Sequence, residues 1–187
     1  MKRVFIIHGW GGHSKEGWLA WLGKELASQG FEVHVPDMPD TNYPRIEAWI
    51  AKLAELVGKA DQDTYFVGHS IGCQAILRYM ASSDSSSGGI VLVAPWVRLP
   101  NIIEEEKEIA KPWLETPIDF QQAKAHGGKI VAILSDTDED APVEDAPIFE
   151  KELGAQTIVL HDRGHFTEGD GAWELPEALD ALLDITS

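Results

Sequence analysis

Residues 65–80 read YFVGHSIGCQAILRYM, an apolar run followed by a Gly-His-Ser-Ile-Gly turn and then by helix-forming residues. In this pattern Ser70 stands between a predicted strand and a predicted helix. Gly68 and Gly72 let the chain turn through a strained residue, which holds the Ser70 hydroxyl at the carboxyl edge of a sheet. The stretch therefore predicts a nucleophile elbow.

Six short apolar runs recur along the chain, and the segments between them have helical periodicity. The runs cover residues 4–7, 33–35, 65–67, 90–93, 130–134 and 157–160. Apolar runs of this length indicate strands that are buried on both faces. Because strands and helices alternate, we expect an α/β fold with a mainly parallel six-stranded sheet and helices on both faces.

The length, and a sequence in which no linker is recognised, predict a single domain over residues 1–187. One segment departs from the alternation, because residues 96–117 are too long for a simple connection and carry three prolines. This segment leaves the carboxyl end of a predicted strand, where open α/β sheets bind ligands. It is expected to form either a cap over the site or a solvent-exposed segment on the protein surface.

Fifteen basic and 31 acidic residues give a formal net charge of −16. Such a charge repels phosphate backbones and anionic membrane surfaces, so we expect a small-molecule substrate rather than nucleic acid or a membrane. The single cysteine, Cys73, forms no internal disulfide, and the sequence has neither a secretory leader nor a membrane-spanning apolar stretch. These features predict a cytoplasmic protein, and no pattern indicates an oligomeric state.

A serine hydroxyl becomes a strong nucleophile when a histidine removes its proton, and that histidine works best beside a carboxylate. In α/β-hydrolases the acid and the histidine follow the serine along the chain, each on a loop after a strand. His165, after the last apolar run, is the predicted base, whereas His161 lies where the strand is still ending. Asp138 is the predicted acid, and Asp136 and Asp140 remain alternatives.

The oxyanion that forms during acyl transfer needs two hydrogen-bond donors. We expect them to be the backbone N–H of Ile71 and that of Trp10, which lies in the glycine loop 8–12 after the first strand. This loop lacks the Gly-Lys-Ser/Thr of a phosphate-binding loop and the spacing of a dinucleotide fingerprint. The acidic run 136–140 lacks the glycine and glutamate of a calcium loop. No metal and no organic cofactor is therefore expected.

Several aromatic residues and loop residues are candidates for the substrate pocket. Trp18, Trp21 and Trp49 fall on helical apolar stripes and are expected in the core instead. The residues expected to bind substrate are Gly9, His69, Trp96, Trp113 and Phe166.

With these motifs in place, the chain resembles the small serine hydrolases of the retinoblastoma-binding protein 9 and YdeN-like family over nearly its whole length. Besides the elbow, the resemblance rests on Gly17-Trp18, Met38-Pro39-Asp40, Pro112-Trp113 ahead of Asp119-Phe120, and Gly164-His165-Phe166. It implies a reduced α/β-hydrolase fold with sheet order 2-1-3-4-5-6 and a triad of Ser70, Asp138 and His165. Relatives often have Asp-Asp-Pro in the acid loop, whereas this chain has Asp138-Glu139-Asp140, which leaves the acid open.

We therefore expect a serine hydrolase that cleaves a small ester, thioester or amide through an acyl-enzyme on Ser70. The alternative is a catalytically silent interaction protein on a hydrolase scaffold. A retinoblastoma-type partner is not expected, because the sequence has no Leu-x-Cys-x-Glu motif. Dehalogenase chemistry is disfavoured, because it requires an aspartate where Ser70 stands.

Overall fold

A computed structural model describes residues 1–187 as six strands and seven helices. The strands are β1 (Arg3–Ile7), β2 (Glu32–His34), β3 (Thr64–His69), β4 (Gly89–Val93), β5 (Lys129–Ser135) and β6 (Gln156–Leu160). The helices are α1 (Gly17–Ser28), α2 (Ile46–Val57), α3 (Ile71–Ser82), α4 (Glu104–Glu115), α5 (Phe120–Gly127), α6 (Ala146–Leu153) and α7 (Pro176–Ile185). None of these helices combines the length and the hydropathy that crossing a bilayer requires.

The six strands form one sheet in the order β2-β1-β3-β4-β5-β6, and every neighbouring pair is parallel. This confirms the predicted order. All residues of β3 and β4 are buried, as are nearly all those of β1 and β5. Buried, mostly apolar strands of this kind are typical of a parallel sheet whose two faces are both covered by helices. The carboxyl ends of all six strands consequently meet at one edge.

The two outer strands differ from the expectation of burial on both faces. All three residues of β2 are half-buried, and Val159 in β6 is 52% exposed. Each outer strand has a neighbour on one side alone, so fewer groups cover it. Apolar composition alone does not distinguish such an edge strand from a central one.

The core includes two of the three tryptophans expected there, since Trp18 and Trp49 are buried and Trp21 is half-buried at its margin. Buried His8 connects the loop after β1 to the loop after β2. Its Nδ1 donates to the Gly9 carbonyl at 2.7 Å, and its Nε2 accepts from the Met38 amide at 2.9 Å. His8 thus holds the glycine loop in place at the carboxyl edge of the sheet.

Both ends of the segment 96–117 are attached to α3. The Gln74 side chain donates to the Trp96 carbonyl at 2.9 Å. One turn further along α3, Arg78 donates to the carbonyls of Trp113 and Thr116 at 2.9 and 2.7 Å. The segment therefore packs on the domain, and α4 lies within it.

Candidate active site

Ser70 lies in the turn between β3 and α3 with backbone angles φ 53° and ψ −119°. Left-handed backbone of this kind is strained for a residue with a side chain. A Cβ atom on Gly68 would lie 2.8 Å from the Cys73 nitrogen, and one on Gly72 would lie 2.5 Å from the Ile7 oxygen. Since only glycine fits at either position, the close packing of this turn holds Ser70 in its strained conformation.

Three of the predicted site residues form a continuous chain of hydrogen bonds. His165 Nε2 lies 2.9 Å from the Ser70 hydroxyl oxygen, and His165 Nδ1 lies 2.8 Å from Asp138 Oδ2. The Asp138 side chain is fully buried. Because a carboxylate accepts the Nδ1 proton, the lone pair of Nε2 is left facing the Ser70 hydroxyl. This arrangement can move a proton from Ser70 to His165.

The structure also distinguishes between the acids that the sequence left open. Asp136 lies 2.6 Å from Nδ1 of His161 on the exposed surface, away from His165. Asp140 contributes its backbone amide, which donates to Asp138 Oδ1 at 2.9 Å. Asp138 is therefore the carboxylate that contacts the imidazole of His165.

The environment of His165 determines its proton affinity. Burial lowers the pKa of His165, but its hydrogen bond to Asp138 and the negative charges of Asp138, Asp140 and Asp170 outweigh burial. The pKa of His165 therefore lies above its ordinary value of 6.5. A base with this raised affinity takes up a proton readily at neutral pH.

Cys73 does not compete with Ser70 as a nucleophile. It is buried one turn into α3, and its thiol donates to the Val93 carbonyl at 3.3 Å. Burial raises the pKa of the Cys73 thiol well above its ordinary value, so the reactive thiolate is scarce at neutral pH.

Two backbone N–H groups close to Ser70 have no acceptor within the protein. Ile71 is the first residue of α3, so its N–H has no partner in the helix. Trp10 lies in the glycine loop, and its backbone N–H donates to no protein atom either. The loop approaches closely, since a Cβ on Gly9 would lie 3.6 Å from Ser70 Cβ and 3.0 Å from His69 Nδ1. Two free donors therefore border the cleft that contains Ser70.

This cleft has a volume of about 660 Å³, and apolar side chains form much of its wall. These side chains are Trp10, Tyr43, Ile71, Trp96, Leu99, Ile102, Ile103 and Ile109. Four carboxylate residues also line the cleft, and none of them forms an ion pair: Glu16, Glu105, Glu106 and Asp140. Because no lysine or arginine lines the cleft, it combines apolar side chains with a net negative charge.

Three of the five residues expected to bind substrate line this cleft. They are Gly9, His69 and Trp96. His69 and Trp96 are almost entirely buried, at 4% and 2% exposure, so they present little surface to a ligand.

The other two lie elsewhere, and these expectations are corrected. Trp113 is buried against Trp49, and its indole N–H donates to the Pro44 carbonyl at 2.8 Å. Phe166 is 1% exposed, and its carbonyl accepts from Trp18 Nε1 at 3.0 Å. Both large rings face the core, where burial of their apolar surface stabilises the fold most.

Several lining residues were not expected from the sequence. Asn42 and Tyr43 follow the carboxyl end of β2, so the rule that ligands bind at this edge could have found them. Glu105, Glu106 and Ile109 lie on α4. Which face of α4 meets the cleft depends on how the helix packs, and no repeated pattern in residues 96–117 indicates it.

A cation would find ligand atoms of Asp138, Asp140 and His165 within 4.8 Å of one another. Asp138 already accepts hydrogen bonds from His165 and from the backbone amides of Asp140 and Ala141. An ion at this position would therefore compete with the contact between Asp138 and His165.

Comparison with known proteins gives matches over almost the whole chain. A family model described as serine hydrolase matches residues 4–184. The chain is 29% identical to YdeN of Bacillus subtilis (strain 168), covering 100% of this chain and 97% of that protein. It is 27% identical to the serine hydrolase RBBP9 of Rattus norvegicus, covering 88% of this chain and 87% of that protein.

Solved structures agree with the fold. The crystal structure of the B. subtilis ydeN product superposes with a TM-score of 0.91 at 29% identity, covering 99% of this chain and 98% of that one. Est1E of Butyrivibrio proteoclasticus with bound ferulic acid gives a TM-score of 0.76 at 14% identity, covering 98% and 89%. At this low identity the second likeness concerns the fold alone. Together with the strand order, these matches confirm the predicted α/β-hydrolase fold.

Proposed function

The chain belongs to the serine hydrolase family, and on that premise we propose that it cleaves a small ester, thioester or amide through an acyl-enzyme on Ser70. The observation that carries this proposal is the continuous hydrogen-bond chain from Asp138 through His165 to the Ser70 hydroxyl. The strained turn at Ser70 and the two free amides beside it support the same chemistry.

In the first half of the proposed reaction, Ser70 Oγ attacks the carbonyl carbon of the substrate. The hydroxyl proton passes to His165 Nε2, and Asp138 stabilises the resulting imidazolium. The N–H groups of Trp10 and Ile71 donate to the oxyanion. When the intermediate collapses, His165 returns the proton to the leaving alcohol, thiol or amine, and the acyl group stays on Ser70.

In the second half, water attacks the acyl-enzyme while His165 accepts one of its protons. The new oxyanion uses the same two amides as donors. Its collapse releases the carboxylic acid and returns the proton to Ser70 Oγ. Apart from the substrate and one water molecule, residues of the chain supply every group that the two halves use.

We further propose that residues 96–117 act as a cap that forms one wall of the substrate site. The wall includes Leu99, Ile103 and Ile109, and hydrogen bonds from Gln74 and Arg78 of α3 hold the two ends of the segment. An apolar acyl or alkyl group fits such a wall, because its burial there removes apolar surface from water.

Hydrolysis of neutral nitrophenyl esters of increasing acyl length tests this function, with a thioester and an anilide run in parallel. We expect turnover of at least the esters, with a burst of nitrophenol equal to the amount of enzyme when deacylation is slow. Absence of both turnover and burst across the panel would favour the silent interaction protein.

The raised pKa of His165 predicts how turnover depends on pH. His165 must be neutral to accept a proton, so kcat/KM falls as the pH is lowered through a pKa above 6.5. Asp140→Asn removes one of the charges that raise this pKa, so the acidic limb should move to lower pH. Rate profiles of both proteins at constant ionic strength check this, and a limb at or below 6.5 in the wild type would contradict it.

The net negative charge of the residues that line the cleft predicts discrimination by substrate charge. At low ionic strength we expect kcat/KM for an ester with a terminal carboxylate to be lower, by about tenfold or more, than for its neutral isostere. Added salt should bring the two kcat/KM values closer together, because it screens the carboxylates that line the cleft. Glu105→Gln should also reduce the difference in kcat/KM between the two esters. Glu115→Gln makes the same charge change on α4 away from the cleft and should not.

A further inference from the structure

The residue that precedes Ser70 makes a contact that the proposed chemistry does not use. His69 is 4% exposed, and its Nε2 lies 2.8 Å from the backbone carbonyl oxygen of His165. A carbonyl oxygen only accepts, so Nε2 of His69 carries a proton and donates it. His69 and Ser70, adjacent in the chain, therefore both contact His165, one at its backbone and the other at its ring.

A second buried ring supports the same loop. The indole of Trp18 meets the His69 ring edge-on, with ring centres 5.8 Å apart. Trp18 Nε1 donates to the carbonyl of Phe166 at 3.0 Å. Two ring N–H donors from the core thus hold two consecutive carbonyls, those of His165 and Phe166.

The loop that bears His165 needs such support because its backbone is strained. Asp162, Gly164 and Phe166 all have positive φ angles, of 55°, 52° and 58°. Left-handed conformations at residues other than glycine persist where the surroundings enforce them. The backbone amide of His165 donates to Asp170 Oδ2 at 3.1 Å, and the backbone carbonyl of His165 accepts from His69 Nε2.

Burial keeps the imidazole of His69 neutral. Burial and the neighbouring His165 lower the pKa of His69 to about 3. His69 therefore stays neutral wherever His165 titrates, and it does not compete for the Ser70 proton. Its N–H remains available as a donor at every pH at which the site could work.

We propose that His69 is a positioning residue, which fixes the backbone of His165 so that the imidazole reaches Asp138 and Ser70 together. This inference rests on the proposed function, since it concerns the proton transfer between Ser70 and His165. A displacement of reacting groups by about 1 Å can lower a rate about 100-fold, so holding this loop matters to turnover.

The test compares His69→Gln with His69→Asn. The longer amide of Gln reaches about as far as Nε2 of histidine and can still donate to the His165 carbonyl, whereas the Asn amide stops short. We expect kcat to fall about 10- to 100-fold in His69→Asn, with KM within about twofold of wild type. In His69→Gln we expect kcat within about threefold of wild type.

A second readout does not depend on turnover. NMR titration of His165 should give the same raised pKa in wild type and His69→Gln, and a lower one in His69→Asn, where the contact with Asp138 loosens. Equal kcat and equal titration of His165 in the three proteins would overturn the role of His69. A raised pKa of His165 without any turnover in the wild type would instead contradict the proposed function.

Discussion

Replacing Ser70 with alanine should lower kcat for a neutral ester by about 10⁴- to 10⁶-fold. The variant keeps the oxyanion donors and the cleft but has no atom to which the acyl group can bond. Alanine carries the same Cβ as serine in the same left-handed turn, so the free energy of unfolding should change by less than about 1 kcal/mol. Steady-state kinetics and thermal unfolding measure the two effects.

A serine outside the cleft serves as the control. Ser28 lies at the exposed end of α1, and Ser28→Ala should leave kcat within about twofold of wild type. If Ser70→Ala keeps more than about a hundredth of the wild-type rate, another group performs the attack and the proposed mechanism is wrong.

Asp138→Asn should lower kcat by about 10³- to 10⁴-fold. The Asp138 Oδ1 atom accepts from the amides of Asp140 and Ala141, and the asparagine oxygen can do the same, so the loop should keep its shape. The amide NH₂ would then face His165 Nδ1 and force it to accept. The proton of His165 would move to Nε2, which could no longer take one from Ser70. Kinetics with the same ester measure the loss.

The matched control is Asp136→Asn, two residues earlier in the same loop. Asp136 contacts the exposed His161 rather than His165, so its loss should change kcat by less than about threefold. If Asp136→Asn abolished turnover while Asp138→Asn preserved it, the assignment of the acid would be wrong.

Local patterns sufficed to predict where the strands and the elbow lie, whereas the strand order followed from the family resemblance. The central strands are mostly apolar runs, and the turn at Ser70 requires glycine at positions 68 and 72, so residues close in sequence carry this information. The choice among Asp136, Asp138 and Asp140 could not be made this way. It depends on which carboxylate meets the imidazole of His165, which lies 27 positions after Asp138 in the sequence.

Long-range packing explains why some residues predicted to bind substrate lie outside the cleft. Trp113 was expected to bind substrate, but its orientation depends on how α4 rotates against Trp49 in the core. Likewise, the bond between the His69 ring and the His165 carbonyl joins residues 96 positions apart in sequence. No local pattern predicts such a contact, because it forms only when the loop after β6 closes over β3.

The most direct test of the central claim is intact-mass labelling with a fluorophosphonate, with wild type and Ser70→Ala side by side and peptide mapping of the adduct. An activated serine forms one rapid adduct, and we predict that it lies on Ser70 and is absent from the variant. No adduct on folded wild-type protein, or an adduct on another residue, would contradict the assignment of Ser70 as the nucleophile.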